Sequence, residues 1–412
     1  MVASTDIKFY VHSNNNAPQL QNAYGSMIGV LDACLVNGIS LGLVSSLTAM
    51  GTTVTAVFST AHNLMQYQVF KIVGANQAEY NGEHRILTVP NATSVTFQLA
   101  SVPSVTTATG TISASLPPLG WEKPFSSTNE VGGGKAAYRS NNVLLPSRPF
   151  LRVVDERAPA YSASYAKYAK VGIVEDMGDI DTMFGVQAPY DVSKPGKNWD
   201  STGASSNVIN GWAKWYYARI DPLLNGNDTN SPANARREWL VVGSEDYFYV
   251  FNNTDPANLT RIAYGFGAFE SYIAADISSN FLAATLQDSV ASSFVSLSTL
   301  SSIASDYNVL CLQRDYTQMA KPVNNAKITS LFTGGSGYTN KITAPASSNH
   351  IPSAPIFIND GTLRGKLPLI HWLFQATPYV ENSLIVDGEK VFLALKTLSV
   401  ALSVGQILVR IA

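Results

Sequence analysis

Residues 47–115 contain the pattern that most constrains the fold of this chain. Five short runs of alternating or β-branched residues, at 53–59, 67–73, 84–89, 94–99 and 110–115, are separated by Gly, Asn, Pro and Ser. Alternation places one side of each strand in a core, and closely spaced turn residues return the chain antiparallel to itself. The pattern predicts a small β-barrel or sandwich module at residues 47–116, inserted into a larger domain.

The segments on either side of this module predict the domain organisation. We expect residues 1–46 and 117–190 to form a discontinuous parent β-rich domain, and residues 191–412 to form a β-rich C-terminal domain. One helix is predicted at 26–35, because Ile28, Leu31 and Leu35 share a stripe and Gly38 supplies a stop. We expect Cys34 to lie on the side of this helix that faces the core. Helix is otherwise scarce, so the predicted fold class is mainly β with a minor α contribution.

Two local predictions concern the connections between strands. The runs at 238–243 and 247–251 predict a hairpin joined by a short turn, since both are rich in Val, Tyr, Phe and Trp. The segment 126–135 contains three consecutive glycines and lacks the strand and helix context of a phosphate-binding loop. It is predicted to be a flexible surface loop.

Motifs in and around the module resemble those of known proteins. The module resembles a β-module that recurs in tailed-bacteriophage virion proteins through Ala61, His62 and Asn63, the strand 69–75, Tyr80, Asn81 and Gly82 with Ile86 and Val89, and Thr96 with Phe97. Segments 6–10, 29–34, 120–125, 138–140, 361–368 and 405–409 resemble a phage structural-protein family of unassigned role. The resemblance implies a virion protein that assembles in the host cytoplasm, and a local hydrogen-bonding role for His62.

Composition bears on the surface and on the classes of partner. Charged residues make up 14% of the chain, against about 25% in typical soluble domains. A surface with so little charge suits a protein whose neighbours cover it, although an ordinary secreted β-protein with an uncharged polar surface is the alternative. The net charge of −2 provides no basic footprint for nucleic acid. No apolar run reaches the roughly 20 residues that span a bilayer, and no signal peptide is expected.

The densest aromatic cluster lies at 212–217. Strand alternation places Trp212, Lys214 and Tyr216 on one face and Trp215 and Tyr217 on the other. Flat rings of this kind either pack in a core or interface, or form a platform for the faces of sugars. The candidate interface or glycan platform consists of Trp199, Trp212, Trp215, Tyr216 and Tyr217.

Motifs for catalysis, cofactors and metals do not emerge from the sequence. The five histidines are far apart, and the two cysteines, Cys34 and Cys311, form no CxxC pair. Alternating carboxylates at Asp176, Asp179 and Asp181 suggest a calcium site or, alternatively, a polar strand end. Paired carboxylates for glycoside hydrolysis would be sought first among Glu175, Asp176, Glu245 and Asp246. We expect no catalytic residue, cofactor or metal, and we expect the protein not to be an enzyme.

These observations lead to one main functional hypothesis and its alternatives. The main hypothesis is a bacteriophage virion structural protein of the tail or baseplate, which assembles as a trimer or a hexameric ring and contacts other virion proteins. A capsid decoration protein is the first alternative. The second is a fibre-like protein that binds host-surface glycan, or a depolymerase that cleaves it.

Overall fold

Strands dominate the structure, a computed structural model that describes residues 3–159, 161–202, 209–219, 232–286, 300, 308–320, 325–329, 351, 353–373, 377–398 and 404–412. The predicted mainly β class is confirmed. The described strands are β1 (Lys8–Val11), β2 (Ile39–Met50), β3 (Thr53–Phe58), β4 (Val69–Ala75), β5 (Gly82–Arg85), β6 (Thr88–Asn91), β7 (Ser94–Gln98), β8 (Gly110–Leu116), β9 (Trp121–Thr128), β10 (Gly133–Ser140), β11 (Phe150–Glu156), β12 (Tyr168–Met177), β13 (Met183–Ala188), β14 (Ser201–Thr202), β15 (Ile209–Asn210), β16 (Ala213–Tyr216), β17 (Trp239–Gly243), β18 (Tyr247–Asn252), β19 (Ile262–Ala268), β20 (Glu270–Ser271), β21 (Asn280–Ala283), β22 (Thr285–Leu286), β23 (Asn308–Leu312), β24 (Asn325–Thr329), β25 (Ser353–Asn359), β26 (Leu363–Leu373), β27 (Leu384–Asp387), β28 (Lys390–Leu398) and β29 (Val404–Arg410).

The predicted helix is present as α1 (Ser26–Leu31), which continues into a π-helical segment at Asp32–Asn37. Short 3₁₀ turns occur at Ala78–Tyr80 and Ala163–Tyr165. The N-terminus of α1 is fixed by Asp155, whose Oδ2 accepts a hydrogen bond from the Met27 N–H at 3.0 Å. Cys34 is fully buried, as predicted, and both cysteines are free thiols.

The inserted module forms a seven-stranded sheet in the order β5-β4-β8-β2-β3-β7-β6. Its two terminal strands are separated in sequence by only Ile86 and Leu87. The Ile86 N–H donates to Gln68 O at 2.9 Å and the Leu87 N–H donates to Thr96 O at 2.8 Å, so this short link bridges the two ends of the sheet. The sheet therefore curls around an apolar interior. β2 starts at Ile39 and pairs with both β8 and β3, so this sheet also includes residues that precede the predicted start of the module.

The second sheet has the order β22-β16-β12-β11-β10-β9, with β13 also paired to β12. Here the prediction of a flexible loop at 126–135 is wrong. The segment is a tight hairpin between β9 and β10, in which Asn129 N donates to Gly133 O at 2.9 Å and Gly132 N donates to Asn129 O at 3.0 Å. The glycines serve the close approach of neighbouring strands, since a Cβ added at Gly134 would clash with Ser127 O.

The third sheet has thirteen strands in the order β1-β17-β18-β19-β21-β23-β24-β25-β26-β29-β28-β27, with β20 paired to β26. It contains the predicted 238–251 hairpin as β17 and β18. Pairing crosses the predicted domain boundaries, because β1 joins β17 in this sheet while β16 and β22 join the second sheet. The boundaries themselves stay a prediction.

Arg85 links the module to both ends of the described chain. Its side chain is buried, and its recorded acceptors among the described residues are all backbone carbonyl oxygens: Ser4 O at 2.6 Å, Tyr67 O at 2.7 Å, Ile7 O at 2.9 Å and Ile411 O at 3.0 Å. Burial lowers the pKa of this guanidinium to about 10, so it stays charged at neutral pH. The hydrogen bonds hold β5 against the segments next to β1 and β29.

Candidate functional site

The five aromatic side chains of the predicted platform are all buried. Trp215, Tyr216 and Tyr217 are 0% exposed, Trp212 is 4% exposed and Trp199 is 9% exposed. On the inner face, the Trp215 indole donates to Ala283 O at 2.9 Å and stacks against Tyr264, with ring centroids 5.8 Å apart. The Tyr217 hydroxyl donates to Asp155 Oδ1 at 2.8 Å. These contacts place the inner rings in the main hydrophobic core.

Trp215 and Tyr217 belong to the main core whereas Tyr216 does not, as alternation predicts, and cations lie over the rings of Tyr216 and Trp199. The Arg219 guanidinium lies 4.8 Å from the centroid of the Tyr216 ring, and the Arg152 guanidinium lies 4.5 Å from that of Trp199. A sugar platform needs a ring face open to solvent. The described arrangement offers none among these five residues, which favours the core alternative stated for this cluster.

The acidic residues at 176–181 stabilise a turn. Asp179 Oδ1 accepts from the backbone N–H groups of Asp181 and Thr182, both at 2.8 Å. Asp181 pairs with Lys135 at 2.8 Å and with Arg152 at 2.6 Å. No group of three potential metal-ligating side chains is found within the described ranges. The polar strand end is the alternative that these contacts favour.

Three of the remaining sequence candidates, Glu175, Asp246 and His62, have identified partners. Glu175 pairs with Arg314 at 2.6 Å, and Asp246 accepts from the Asn142 amide at 2.7 Å. The resemblance implied a local role for His62, and this is confirmed, because its Nδ1 accepts from the Leu64 N–H at 2.9 Å. None of these contacts arranges two free carboxylates around a cleft.

A candidate assembly site lies at β27, the terminal strand of the thirteen-stranded sheet. One side of β27 pairs with β28, and no other strand in the described part of the chain pairs with its outer side. Its residues are Leu384, Ile385, Val386 and Asp387, and Val386 is 64% exposed. Proteins commonly protect such edges with a charge or proline within the strand. In β27 the only charged residue is Asp387, which is the last residue of the strand.

β27 was not predicted from the sequence, although the sequence contains a signal for it. Residues 384–393 contain two apolar runs on either side of Asp387, Gly388, Glu389 and Lys390, which is the pattern of a two-residue hairpin. Asp387 and Lys390 are the last paired residues, with Gly388 at φ 59° in the turn.

A second exposed apolar surface surrounds a buried ion pair in the same sheet. Arg364 and Asp276 have side chains 0% and 2% exposed, and the Arg364 Nε lies 2.8 Å from Asp276 Oδ2. The segments around this pair present the following exposed side chains: Tyr272, Ile277, Tyr316 and Met319 in loops and Leu363 at the start of β26. Single exposed apolar residues are ordinary, but several on adjoining loops suit a surface that contacts other proteins.

Comparisons with known proteins provide no family for the chain. No protein-family model matches it, and no curated protein matches it. One solved structure to which it is similar is the phage phi92 endosialidase, with 9% identity, a TM-score of 0.17, and coverage of 84% of this chain and 72% of that chain. A TM-score this low does not establish a shared fold. Among the described residues, no helix is long and apolar enough to cross a membrane.

Proposed function

We propose that this protein is a structural component of a bacteriophage virion, in the tail or baseplate, and that it acts by assembly rather than by catalysis. Copies of the chain associate with one another as a trimer or hexameric ring and with other virion proteins. The observation that carries this proposal is the unpaired apolar edge at β27.

The edge favours assembly for a physical reason. An unpaired strand exposes backbone N–H and C=O groups in a row, and these groups pair readily with another strand. Leu384 and Val386 pair with Leu393 and Val391, so they extend the apolar face of β28 to the end of the sheet. We propose that a strand of a second copy covers this edge.

Two further features support the virion assignment. The chain is only 14% charged, and charge is what usually keeps a free surface from associating. The sequence motifs of the module and its flanks resemble those of phage structural proteins, and this resemblance is the basis for the virus assignment.

The edge is tested by placing a charge on it. Analytical ultracentrifugation of the purified chain should give a trimer or hexamer, and Val386→Lys should shift it to monomer because the added charge would be buried in the new contact. Val143→Lys is the matched control, since Val143 is 75% exposed and lies outside the edge. A wild-type chain that stays monomeric at high concentration would contradict the proposal.

The position in the particle is tested by copy number. Quantitative mass spectrometry of purified virions, fractionated into heads and tails, should find a few copies in the tail fraction. Hundreds of copies with the heads would make this a capsid decoration protein. Absence from particles would refute the structural role and favour the glycan-binding or depolymerase alternative.

A further inference from the structure

A polar cleft opens on the thirteen-stranded sheet, at a place to which neither the sequence motifs nor the assembly edge assigns a role. Its volume is about 240 Å³, and it is lined by Ile7, Tyr247, Glu270, Pro355, Lys366, Leu367, Pro368, Leu369, His371, Lys390, Phe392 and Arg410. A water molecule occupies about 30 Å³ of the liquid, so the cleft has the volume of roughly eight waters. That is the scale of one sugar residue, and much larger than a bare phosphate.

Strand register brings the polar side chains of the cleft to one face of the sheet. Phe392 pairs with Arg410 between β28 and β29, and His371 pairs with Leu408 and with Pro355. Paired residues in an antiparallel sheet point to the same side, and residues two apart on one strand do so as well. Lys390 therefore lies on the same side as Phe392 and Arg410.

A bulge in β26 opens the floor of the cleft. Lys366 pairs with Phe357 while His371 pairs with Pro355, so β26 has three extra residues between these two pairs. Leu369 in the bulge has φ 63°, a left-handed conformation that is unfavourable for leucine. The Tyr249 hydroxyl holds the bulge by donating to Pro368 O at 2.9 Å. Bulges of this kind commonly redirect side chains beside functional sites.

The cleft concentrates positive charge in a chain whose net charge is −2. Lys366 is partly neutralised, because its Nζ lies 2.7 Å from Glu270 Oε2. Lys390 and Arg410 make no ion pair with any other described residue, and the Arg410 Nε donates to Ala412 O at 3.0 Å. In the described ranges, neither of these two cationic groups forms an ion pair with a side-chain carboxylate. Phe392 and two prolines supply apolar walls beside them.

His371 adds a neutral hydrogen-bonding group. Burial lowers its pKa, and the charges of Lys390, Lys366 and Arg410 lower it further, against the opposite effect of Asp387. The imidazole is therefore uncharged at neutral pH and both donates and accepts hydrogen bonds. A polar ligand body with hydroxyl groups suits such a partner better than a simple ion does.

We propose that this cleft binds a carboxylate or phosphate group carried on a body the size of one sugar residue. Lys390 and Arg410 bind the oxyanion, and Arg410 offers it the planar guanidinium that matches carboxylate and phosphate oxygens. His371 hydrogen-bonds the polar body. This site is independent of the β27 edge and of the virion assignment.

The ligand class is tested by calorimetric titration of the full chain with glucuronate, glucose 6-phosphate, glucose and inorganic phosphate. Glucuronate or glucose 6-phosphate should bind, with an affinity that falls as salt is raised. Glucose should bind at least tenfold more weakly. Equal binding of glucose, binding of inorganic phosphate alone, or no binding of any of the four would each overturn the proposal.

Matched variants test the residues. Lys390→Gln and Arg410→Gln should each weaken binding roughly tenfold, the effect of one charge-assisted hydrogen bond. Lys396→Gln is the control, because Lys396 lies on the same strand and face as Lys390 but outside the cleft lining. Glu270→Gln should strengthen binding a few-fold by releasing Lys366. Equal effects of the 390 and 396 substitutions, or weaker binding in the Glu270 variant with an unchanged melting temperature, would refute these assignments.

Discussion

The buried pair Asp276–Arg364 gives a prediction whose size and pH dependence both follow from the structure. Arg364 donates to both carboxylate oxygens of Asp276, from Nε at 2.8 Å and from Nη2 at 3.0 Å. The same carboxylate accepts from Ser271 Oγ at 2.7 Å and from the Ser278 N–H at 3.1 Å. Although burial alone would raise the pKa of Asp276, these hydrogen bonds and the Arg364 charge lower it from 3.8 to about 2.

This shift determines how the pair contributes to stability. The folded-state pKa lies below the unfolded value, so the contribution is fully present above pH ~4 and is lost as the pH falls towards 2. A shift of nearly two units corresponds to about 2.5 kcal/mol. Asp276→Asn at pH 7 leaves Arg364 with Asp360 as its remaining ion-pair partner, at 2.8 Å. Removing one member of a buried pair costs roughly 3 to 5 kcal/mol, and Asp360 should keep the cost near the lower figure.

Urea denaturation of the wild type and of Asp276→Asn at pH 7 and pH 2.5 tests this reasoning. The variant should be about 3 kcal/mol less stable at pH 7, and the difference should shrink by about 1 to 2 kcal/mol at pH 2.5 because wild-type Asp276 is becoming protonated. Asp387→Asn, which removes an exposed carboxylate at the β27 turn, should change stability by less than about 0.5 kcal/mol. A difference for Asp276→Asn that is the same at both pH values would refute the account.

Two further stability predictions follow from single residues. Gly134→Ala should cost more than about 2 kcal/mol in thermal unfolding because its Cβ would clash with Ser127 O, whereas Gly42→Ala, with φ +88° and open space around its Cβ, should cost about 1 kcal/mol. Equal losses of stability in these two glycine variants would show that β9 and β10 do not approach each other closely at Gly134. Arg85→Met should lower the free energy of unfolding by at least about 3 kcal/mol, because four carbonyl oxygens lose a charged donor. Lys71→Met is the control: Lys71 lies on the exposed side of the neighbouring β4, and its substitution should cost less than about 0.5 kcal/mol. Similar melting temperatures for the two variants would contradict the linking role of Arg85.

The sequence predicts those parts of the fold in which local pattern and burial agree. Alternation predicted the hairpin of β17 and β18 and the faces of Trp212 to Tyr217, because side chains on a strand alternate wherever one side meets a core. It did not predict that β1 pairs with β17, since that contact joins residues more than 200 positions apart. The glycines at 132–134 led to the wrong prediction of a flexible loop, because glycine occurs both in flexible loops and where strands approach closely.

The candidate sites were less predictable than the fold for a physical reason. The cleft depends on the register of β25, β26, β28 and β29 and on a bulge, and neither register nor bulges can be read from one sequence. Lys366, His371, Lys390 and Arg410 are scattered over 45 residues of sequence and share no motif. The prediction of an aromatic platform rested only on the density of aromatic residues, and a dense aromatic cluster can belong either to a buried core or to a binding surface.

The assembly edge and the cleft share one hairpin, and the structure separates their tests. Val386 pairs with Val391, whereas Lys390 lies on the side of Phe392, so the two side chains point to opposite faces of the sheet. Val386→Lys should therefore remove self-association and leave binding of glucuronate or glucose 6-phosphate within about twofold. Lys390→Gln should weaken that binding and leave the sedimentation coefficient unchanged. Loss of both properties in either variant, with the fold intact by circular dichroism, would mean that a second copy completes the cleft and that the two sites are one.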